Sequence, residues 1–173
     1  MSQQGAMEKI FNYFCVNAKQ SSQIQIDSTY VKAHQHSSGA KKRGLEARNR
    51  KIKRETSKIH AVTDENGKVM CIFIIVGNIY DSTQAEKLLH NTIDEGVYVI
   101  GDKAFDSEQI VKYIEKNRGI CVIPPRKNRK EQREYNKDIY KSRNQIERFF
   151  NQLKQFRRIA TRYDKLLFSF LLL

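Results

Sequence analysis

Four chemically distinct side chains are spaced along one predicted helix near the end of the sequence: Tyr140, Arg143, Glu147 and Lys154. At about 100° per residue they fall within roughly 60° of arc, next to an apolar arc that includes Ile146. A carboxylate can bind a metal ion, while arginine and lysine can bind phosphate. The spacing therefore predicts a polar line at the edge of a buried helix face, suited to holding a metal and a phosphate.

Two more carboxylates lie where a sheet could bring them to this helix. Asp27 falls in the alternating, β-branched stretch 24–31, which predicts a strand, and Asp102 follows the apolar run 97–100, which is typical of a buried strand. Because open α/β sheets bind ligands near the carboxyl ends of their strands, Asp27, Asp102 and Glu147 could converge. Such a group favours Mg²⁺, and two Mg²⁺ ions can promote in-line displacement at a phosphate.

Each carboxylate also has an ordinary structural interpretation. Asp27 could be satisfied by backbone amides, and Asp102 could begin the turn after a strand. Glu147 could pair with Arg143 at i, i+4, a contact worth only about 0.2–0.5 kcal/mol. Asp106 precedes a predicted helix and is interpreted as its N-cap. Taken one at a time, these residues favour structure over chemistry.

The other patterns predict the elements that would position the carboxylates. Asn66-Gly67 between two apolar runs predicts a β-hairpin, and the capping box at 83–86 predicts a helix from about residue 82 to 91. Further segments follow from periodicity, charge and turn signals: a helix over 6–19, a basic loop over 41–58, a helix over 106–119, a strand over 120–123 and a basic loop over 126–137. This order favours a mixed α/β sheet with helices on its faces.

The charge balance indicates a polyanionic partner. The sequence has 32 Lys and Arg residues against 19 Asp and Glu, a formal net charge of +13 in 173 residues, so nucleic acid is the first candidate. No long apolar span is present, and a membrane partner is not indicated. Cys15, Cys71 and Cys121 form no Cys-x-x-Cys pair, and the N-terminus lacks the pattern of a secretory signal. These features favour a cytoplasmic protein.

The gaps of two, three and six residues between Tyr140, Arg143, Glu147 and Lys154 resemble the Tyr-(2)-Arg-(3)-Glu-(6)-Lys signature of bacterial insertion-sequence DDE transposases. Further blocks are similar to those of insertion-sequence family five, over roughly residues 24 to 165. These blocks are Ile26-Asp-Ser-Thr29, Ala33-His-Gln-His36, Lys58-Ile-His-Ala-Val62, Gly101-Asp-Lys-Ala-Phe-Asp-Ser107, Ile123-Pro-Pro-Arg126 and Phe156-Arg-Arg-Ile-Ala-Thr-Arg-Tyr-Asp-Lys165.

This resemblance implies a fold, a reaction and a metal. The fold would be an α/β, ribonuclease-H-like mixed five-stranded sheet flanked by helices. Asp27, Asp102 and Glu147 would be the catalytic, metal-binding triad, with Mg²⁺ as the cofactor and Mn²⁺ as a substitute. The reaction would be cleavage and strand transfer at the inverted-repeat ends of an insertion sequence.

The resemblance also implies double-stranded DNA as the partner, at the element ends and at the target, with a homo-oligomer formed on DNA. Tyr140, Arg143 and Lys154 would contact the end DNA or position its scissile phosphate. Arg126 and Lys127, in the basic loop after Pro125, are added as DNA-binding candidates. The protein would act in the cytoplasm, associated with the nucleoid.

The expected domain organisation is an N-terminal helical segment, 1–23, and a catalytic domain, 24–173. The 26 residues before Asp27 are too few for the separate domain with which such transposases recognise their ends. We therefore expect either the downstream frame of a two-frame transposase, joined to an upstream product that carries end recognition, or a truncated copy.

Two other functions are compatible with the sequence. One is a catalytically inactive, truncated transposase that acts only as a DNA-binding relic or regulator. The other is a general structure-selective nuclease with the same acidic chemistry, which the Tyr-Arg-Glu-Lys spacing argues against. The inverted-repeat and target sequences and the role of the apolar C-terminal segment, 166–173, cannot be read from the residues.

Overall fold

The computed structural model describes residues 21–34, 57–76, 81–90, 92–129 and 132–163. The helix predicted over 6–19, most of the basic loop predicted over 41–58 and the apolar segment 166–173 lie outside these residues. The domain boundary at residue 23 stays a prediction. In the described part of the chain, no helix is long and apolar enough to cross a membrane.

A mixed sheet forms the centre of the fold, and its main path runs in the order β3-β2-β1-β4-β5. Strand β1 pairs antiparallel with β2 and parallel with β4, so it occupies the middle of the sheet. The sixth strand is a two-residue addition that pairs with the far end of β1. The strands are β1 Gln23–Ala33, β2 Ser57–Asp64, β3 Val69–Val76, β4 Tyr98–Gly101, β5 Ile120–Val122 and β6 Thr161–Arg162.

The described helices lie before, between and after the later strands: α1 Asp81–Leu89, α2 Glu108–Lys116, α3 Lys137–Tyr140, α4 Asn144–Leu153 and α5 Arg157–Ala160. Two short 3₁₀ turns, Lys103–Phe105 and Lys141–Arg143, complete the helical segments. The sequence patterns therefore predicted the hairpin, the strands and the helices at 81–89 and 108–116 correctly.

The prediction of one regular helix from Tyr140 to Lys154 is wrong in detail. The α-helix is interrupted by the 3₁₀ turn Lys141–Arg143, and Lys154 is the C-cap of α4. The hydroxyl of Ser142 donates to the carbonyl of Ile139 at 2.7 Å, a local bond of the kind that competes with regular helix hydrogen bonding. The backbone stays in the right-handed helical region through the turn, so the chain continues in a helical path.

The hairpin between β2 and β3 shows why Asn66-Gly67 is such a strong signal. Gly67 has φ +80°, a conformation in which a side chain would be strained. Asp64 organises the turn, because its Oδ1 accepts from the backbone N–H groups of Asn66 at 2.9 Å and Lys68 at 2.8 Å. Local sequence therefore fixes the register of these two strands.

The two faces of the sheet carry different cores. One face holds the larger apolar cluster, in which Ile24 and Ile26 of β1 pack with residues of α1 and α2. The other face holds a smaller cluster, in which Ile146 and Phe150 of α4 are buried against β1 and β2. Because side chains alternate along a strand, the odd-numbered residues of β1 face α4.

Candidate active site

Asp27 and Asp102 are brought together by the pairing of β1 with β4. The register pairs Ile26 with Gly101 in parallel. The next residue along the chain is an aspartate in both cases: Asp27 within β1 and Asp102 just after the end of β4. The Oδ1 atom of Asp27 accepts from the N–H of Ser28 at 2.8 Å. The Oδ1 atom of Asp102 accepts from the N–H of Ala104 at 2.7 Å and caps the 3₁₀ turn. Both carboxylates are therefore oriented by their own backbone.

Glu147 reaches the same region from α4. Its neighbour Ile146 is fully buried, and Phe150 one turn later is almost fully buried, which seats α4 against the smaller core. Glu147 itself stays half exposed at the edge of this contact, with 51% of its side-chain surface accessible. The three predicted carboxylates thus come from three elements of the fold.

Arg143 lies between two of these carboxylates. Its Nη2 donates to Asp27 Oδ2 at 3.1 Å, and its Nη1 donates to Glu147 Oε1 at 2.7 Å. Across the described ranges, no three His, Cys, Asp or Glu side chains are grouped so that they could hold a metal ion. Arg143 is therefore the cation that links Asp27 to Glu147, and Asp102 lies near enough to Asp27 to raise its pKa.

The pKa of Asp27 and the pKa of Arg143 are both raised, but for different reasons. Burial raises the pKa of Asp27, and the nearby Asp102 and Glu147 raise it further against the opposing effects of Ser28 N–H and Arg143. Burial lowers the pKa of Arg143, but the carboxylate of Asp27 and other anionic neighbours outweigh it and leave that pKa raised. The pKa of Asp27 thus stays raised, chiefly by burial, even though Arg143 lies against its carboxylate.

Tyr140 stands beside this group. Three residues per turn align positions i and i+3, so the 3₁₀ turn places Tyr140 over Arg143. Burial raises the pKa of Tyr140, and Asp102 raises it too, while Arg143 lowers it. The phenol is therefore a neutral hydrogen-bond donor at physiological pH, and its ring packs edge-on against Tyr135.

The other DNA-binding candidates lie at different places. Lys154 is exposed at the end of α4, about 10 Å along the helix from Glu147 at 1.5 Å per residue. Lys127 is exposed. The guanidinium of Arg126 donates to the carbonyls of Lys103 at 3.0 Å and Ala104 at 2.9 Å, so it holds the turn that follows Asp102.

A second ionic group was missed by sequence reasoning. The N-cap interpretation of Asp106 is wrong, because Ser107 caps α2 by accepting from the N–H of Ile110 at 3.3 Å. Asp106 is instead fully buried and pairs with Arg129 at 3.2 Å and Arg133 at 3.4 Å. It also accepts from the backbone N–H of Arg126 at 2.7 Å, which ties the segment after β5 to the turn after β4.

Two glutamines of β1 were also missed. Gln25 is fully buried, and its Oε1 accepts from the backbone N–H of Ile146 at 2.9 Å. The Oε1 atom of Gln23 lies 3.1 Å from the hydroxyl of Ser142, whose single proton it shares with the carbonyl of Ile139 at 2.7 Å. The signal was present in the sequence, since Gln23, Gln25 and Asp27 place polar groups at every second position of a strand that must be buried.

Comparisons with known proteins find related sequences and related folds. A family model described as a transposase DDE domain matches residues 18–173. A protein of Brucella ovis, provisionally named a transposase for insertion sequence element IS6501, is 37% identical over 117 residues, which cover 67% of this chain and 89% of that protein.

Two solved structures share the fold. The piggyBac transposase in a synaptic complex with hairpin DNA superposes with a TM-score of 0.56 at 12% identity, over 96% of this chain and 48% of that one. A chain of the simian T-cell lymphotropic virus intasome gives a TM-score of 0.52 at 13% identity, over 89% of this chain and 46% of that one. The chain spans about half the length of these two structures. The predicted ribonuclease-H-like sheet is confirmed.

Proposed function

This chain belongs to the transposase DDE domain family, and on that premise we propose that it is the catalytic domain of a bacterial insertion-sequence transposase. It would cleave DNA at the inverted-repeat ends of its element and join the freed strand to a target. The observation that supports the proposal most strongly is the pair of hydrogen bonds by which Arg143 joins Asp27 of β1 to Glu147 of α4, with Asp102 directly after the strand that pairs with β1. The alternative of a non-catalytic DNA-binding relic is not favoured, since all three carboxylates are retained.

Members of this family use divalent metal ions, and carboxylates are the donors that such an ion prefers, while the three carboxylates are not drawn together as a closed ligand group in the described part of the chain. Asp27, Asp102 and Glu147 offer carboxylate oxygens, the ligands that Mg²⁺ and Mn²⁺ prefer, and burial makes the ionised form of Asp27 costly in the absence of a metal. We assign the three residues as the ligands of Mg²⁺, with Mn²⁺ as a substitute. When bound, the metal would polarise the scissile phosphate and activate the attacking water or 3′-hydroxyl.

Arg143 has two roles in this account. In the structure it neutralises Asp27 and Glu147. When those carboxylates bind metal, its planar guanidinium is available to donate two parallel hydrogen bonds to a phosphate of the end DNA. Tyr140, in line with Arg143, can add a neutral hydrogen bond to the same phosphate.

Lys154 and Lys127 act at a greater distance. Both are exposed cations that can contact the DNA backbone as point charges, in keeping with the net charge of +13. Arg126 supports the site indirectly, because it donates hydrogen bonds to the carbonyls of the turn after Asp102. Direct contact between Arg126 and DNA would require it to leave those carbonyls.

The partners follow from the reaction. Two element ends must be held together for strand transfer, so we propose a homo-oligomer on double-stranded DNA. An upstream-frame product would supply recognition of the inverted repeats. The protein would act in the cytoplasm, on the nucleoid.

A strand-transfer assay tests the proposal. Duplex oligonucleotides that carry the cognate inverted repeats are incubated with the protein, Mg²⁺ and a target duplex. We expect nicking and joining at the element ends, abolished by Glu147→Gln and unaffected by Glu108→Gln, which changes an exposed glutamate of α2 in the same way. Full activity in Glu147→Gln would refute its assignment, and equal cleavage of unrelated duplexes would indicate a general nuclease.

A further inference from the structure

Three hydrogen bonds join alternate residues of β1 to the helical segment that carries Glu147. Gln23 accepts from the Ser142 hydroxyl, and Gln25 accepts from the backbone N–H of Ile146. Asp27 accepts from Arg143, as described above. The three acceptors alternate along β1 and their donors all lie in the segment 142–146, so we call this set of bonds the ladder.

Gln25 makes the central bond of the ladder, and burying its polar amide costs free energy. It is fully buried in the middle strand of the sheet, where an apolar side chain would be favoured. Its Nε2 finds no hydrogen-bond partner among the described residues. The single bond from Oε1 to Ile146 N–H is therefore the feature that distinguishes Gln25 from an apolar residue of the same size.

That bond satisfies a group that the helix leaves open. The first four N–H groups of an α-helix have no partner within the helix, and Ile146 lies in the first turn of α4. Arg143, at the N-cap position, does not cap the helix with its side chain. Gln25 supplies an acceptor from the sheet and so anchors the first turn of α4 at Ile146, the residue before Glu147.

We propose that Gln25, with Gln23 as a second rung, is a positioning residue that sets Glu147 at the right height beside Asp27 for metal binding. This inference rests on the proposed function. Apolar packing of Ile146 and Phe150 holds α4 against the sheet but is non-directional, so it tolerates small sliding movements. A metal site needs its ligands within about 0.5 Å of the working geometry, which a directional bond can provide.

Titration of the full chain with Mn²⁺ alone tests this role without any reaction. The electron paramagnetic resonance signal of unbound Mn²⁺ measures how much of the ion stays free. Gln25→Met keeps the size of the side chain and removes the acceptor together with the unpartnered amide. We expect Mn²⁺ affinity to fall about three- to tenfold, the effect of one hydrogen bond. The matched control is Thr63→Val, at the buried position paired with Gln25 on β2, which should leave the affinity unchanged.

A double-substitution cycle separates positioning from general damage. If Gln25 acts through Glu147, then Gln25→Met should weaken Mn²⁺ binding no further in a Glu147→Gln background. An equal additional loss in that background would overturn the inference, as would an unchanged affinity in Gln25→Met alone. Unchanged affinity in Glu147→Gln would instead overturn the metal role of Glu147 itself, and the inference with it.

Ser142→Ala provides a second route if Gln25→Met does not fold. It removes the rung to Gln23 together with the local bond to the carbonyl of Ile139, at a partly exposed position where the fold should tolerate the loss. We expect an affinity loss of about twofold, again absent in the Glu147→Gln background. The same loss in both backgrounds, or no loss at all, would contradict the ladder.

Discussion

Asp27 and Asp106 both face arginine, yet they are neutralised in different ways. Asp106 has no exposed side-chain surface and is shared by Arg129, Arg133 and the backbone N–H of Arg126. Asp27 is 15% exposed and receives one arginine, Arg143, which also serves Glu147. Asp106 therefore has two arginines for one carboxylate, whereas Asp27 and Glu147 share one arginine.

This difference indicates which aspartate supports the fold and which is open to a ligand. A buried carboxylate that serves two arginines supports the fold, because its removal leaves both arginines without their anion. Burial, with a smaller contribution from the nearby Asp102 and Glu147, makes ionisation of Asp27 costly, and a bound divalent cation would offset that cost. We therefore read Asp106 as structural and Asp27 as functional.

The largest expected effect comes from Asp27→Asn. Loss of a metal ligand should reduce DNA cleavage by about three orders of magnitude or more, since metal ions contribute several kcal/mol to such reactions. The melting temperature of the metal-free protein at pH 7 should be unchanged or slightly higher. Cleavage assays and thermal denaturation measure the two effects, and a clear loss of stability would show that Asp27 is structural after all.

The sign of the stability effect follows from the pKa shift. Folding raises the pKa of Asp27 above its ordinary value of 3.8, so ionisation of Asp27 destabilises the folded state at any pH above the raised pKa. That cost disappears as the pH falls below 3.8. Asparagine resembles the protonated form and avoids the cost at neutral pH.

Asp106→Ala, unlike Asp27→Asn, should lower the stability of the metal-free protein. It leaves Arg129 and Arg133 without their buried partner, so the free energy of unfolding should fall by about 3–5 kcal/mol. Urea denaturation of the metal-free protein measures this loss. Asp138→Asn is the control, because Asp138 pairs with Lys141 at the surface and should leave stability unchanged. If Asp106→Ala is as stable as the unaltered protein, the contrast between the two aspartates fails.

Arg143→Gln should sharpen the contrast. Without the competing guanidinium, the Mn²⁺ affinity of the Asp27 and Glu147 region should rise up to about fivefold, as expected for a partly exposed ion pair. Cleavage of end DNA should nevertheless fall, since a phosphate contact is lost. Mn²⁺ titration and a cleavage assay measure these opposite changes, and weaker metal binding would argue that Arg143 supports the carboxylates instead of competing for them.

The smallest effect concerns Arg126 and Lys127, which are neighbours in sequence but differ in contacts. Lys127→Ala should weaken DNA binding slightly and lower the salt-dependence slope by about one ion. Arg126→Ala should slow cleavage with little change in that slope, since its guanidinium holds the Asp102 turn. Binding measured across a salt series separates the two, and equal slope changes would place both residues on the DNA.

Local patterns predicted most of the fold but not the contacts that tune the site. The Asn66-Gly67 turn, the strand at Asp27 and the start of α1 depend on neighbouring residues, so they could be read from the sequence. The partners of Asp106 lie 23 and 27 residues away, and the partner of Gln25 lies 121 residues away. Such pairings depend on the topology of the whole sheet, so local patterns in the sequence do not reveal them.

The most direct test of the metal site changes the chemistry of one ligand. Asp102→Cys replaces a hard oxygen donor with a softer sulfur, which Mg²⁺ accepts poorly and Mn²⁺ tolerates better. The ratio of DNA cleavage in Mn²⁺ to cleavage in Mg²⁺ should rise at least about tenfold over that of the unaltered protein, in proportion to a difference of roughly 1.4 kcal/mol. An unchanged ratio would contradict the assignment of Asp102, beside Asp27, as a metal ligand.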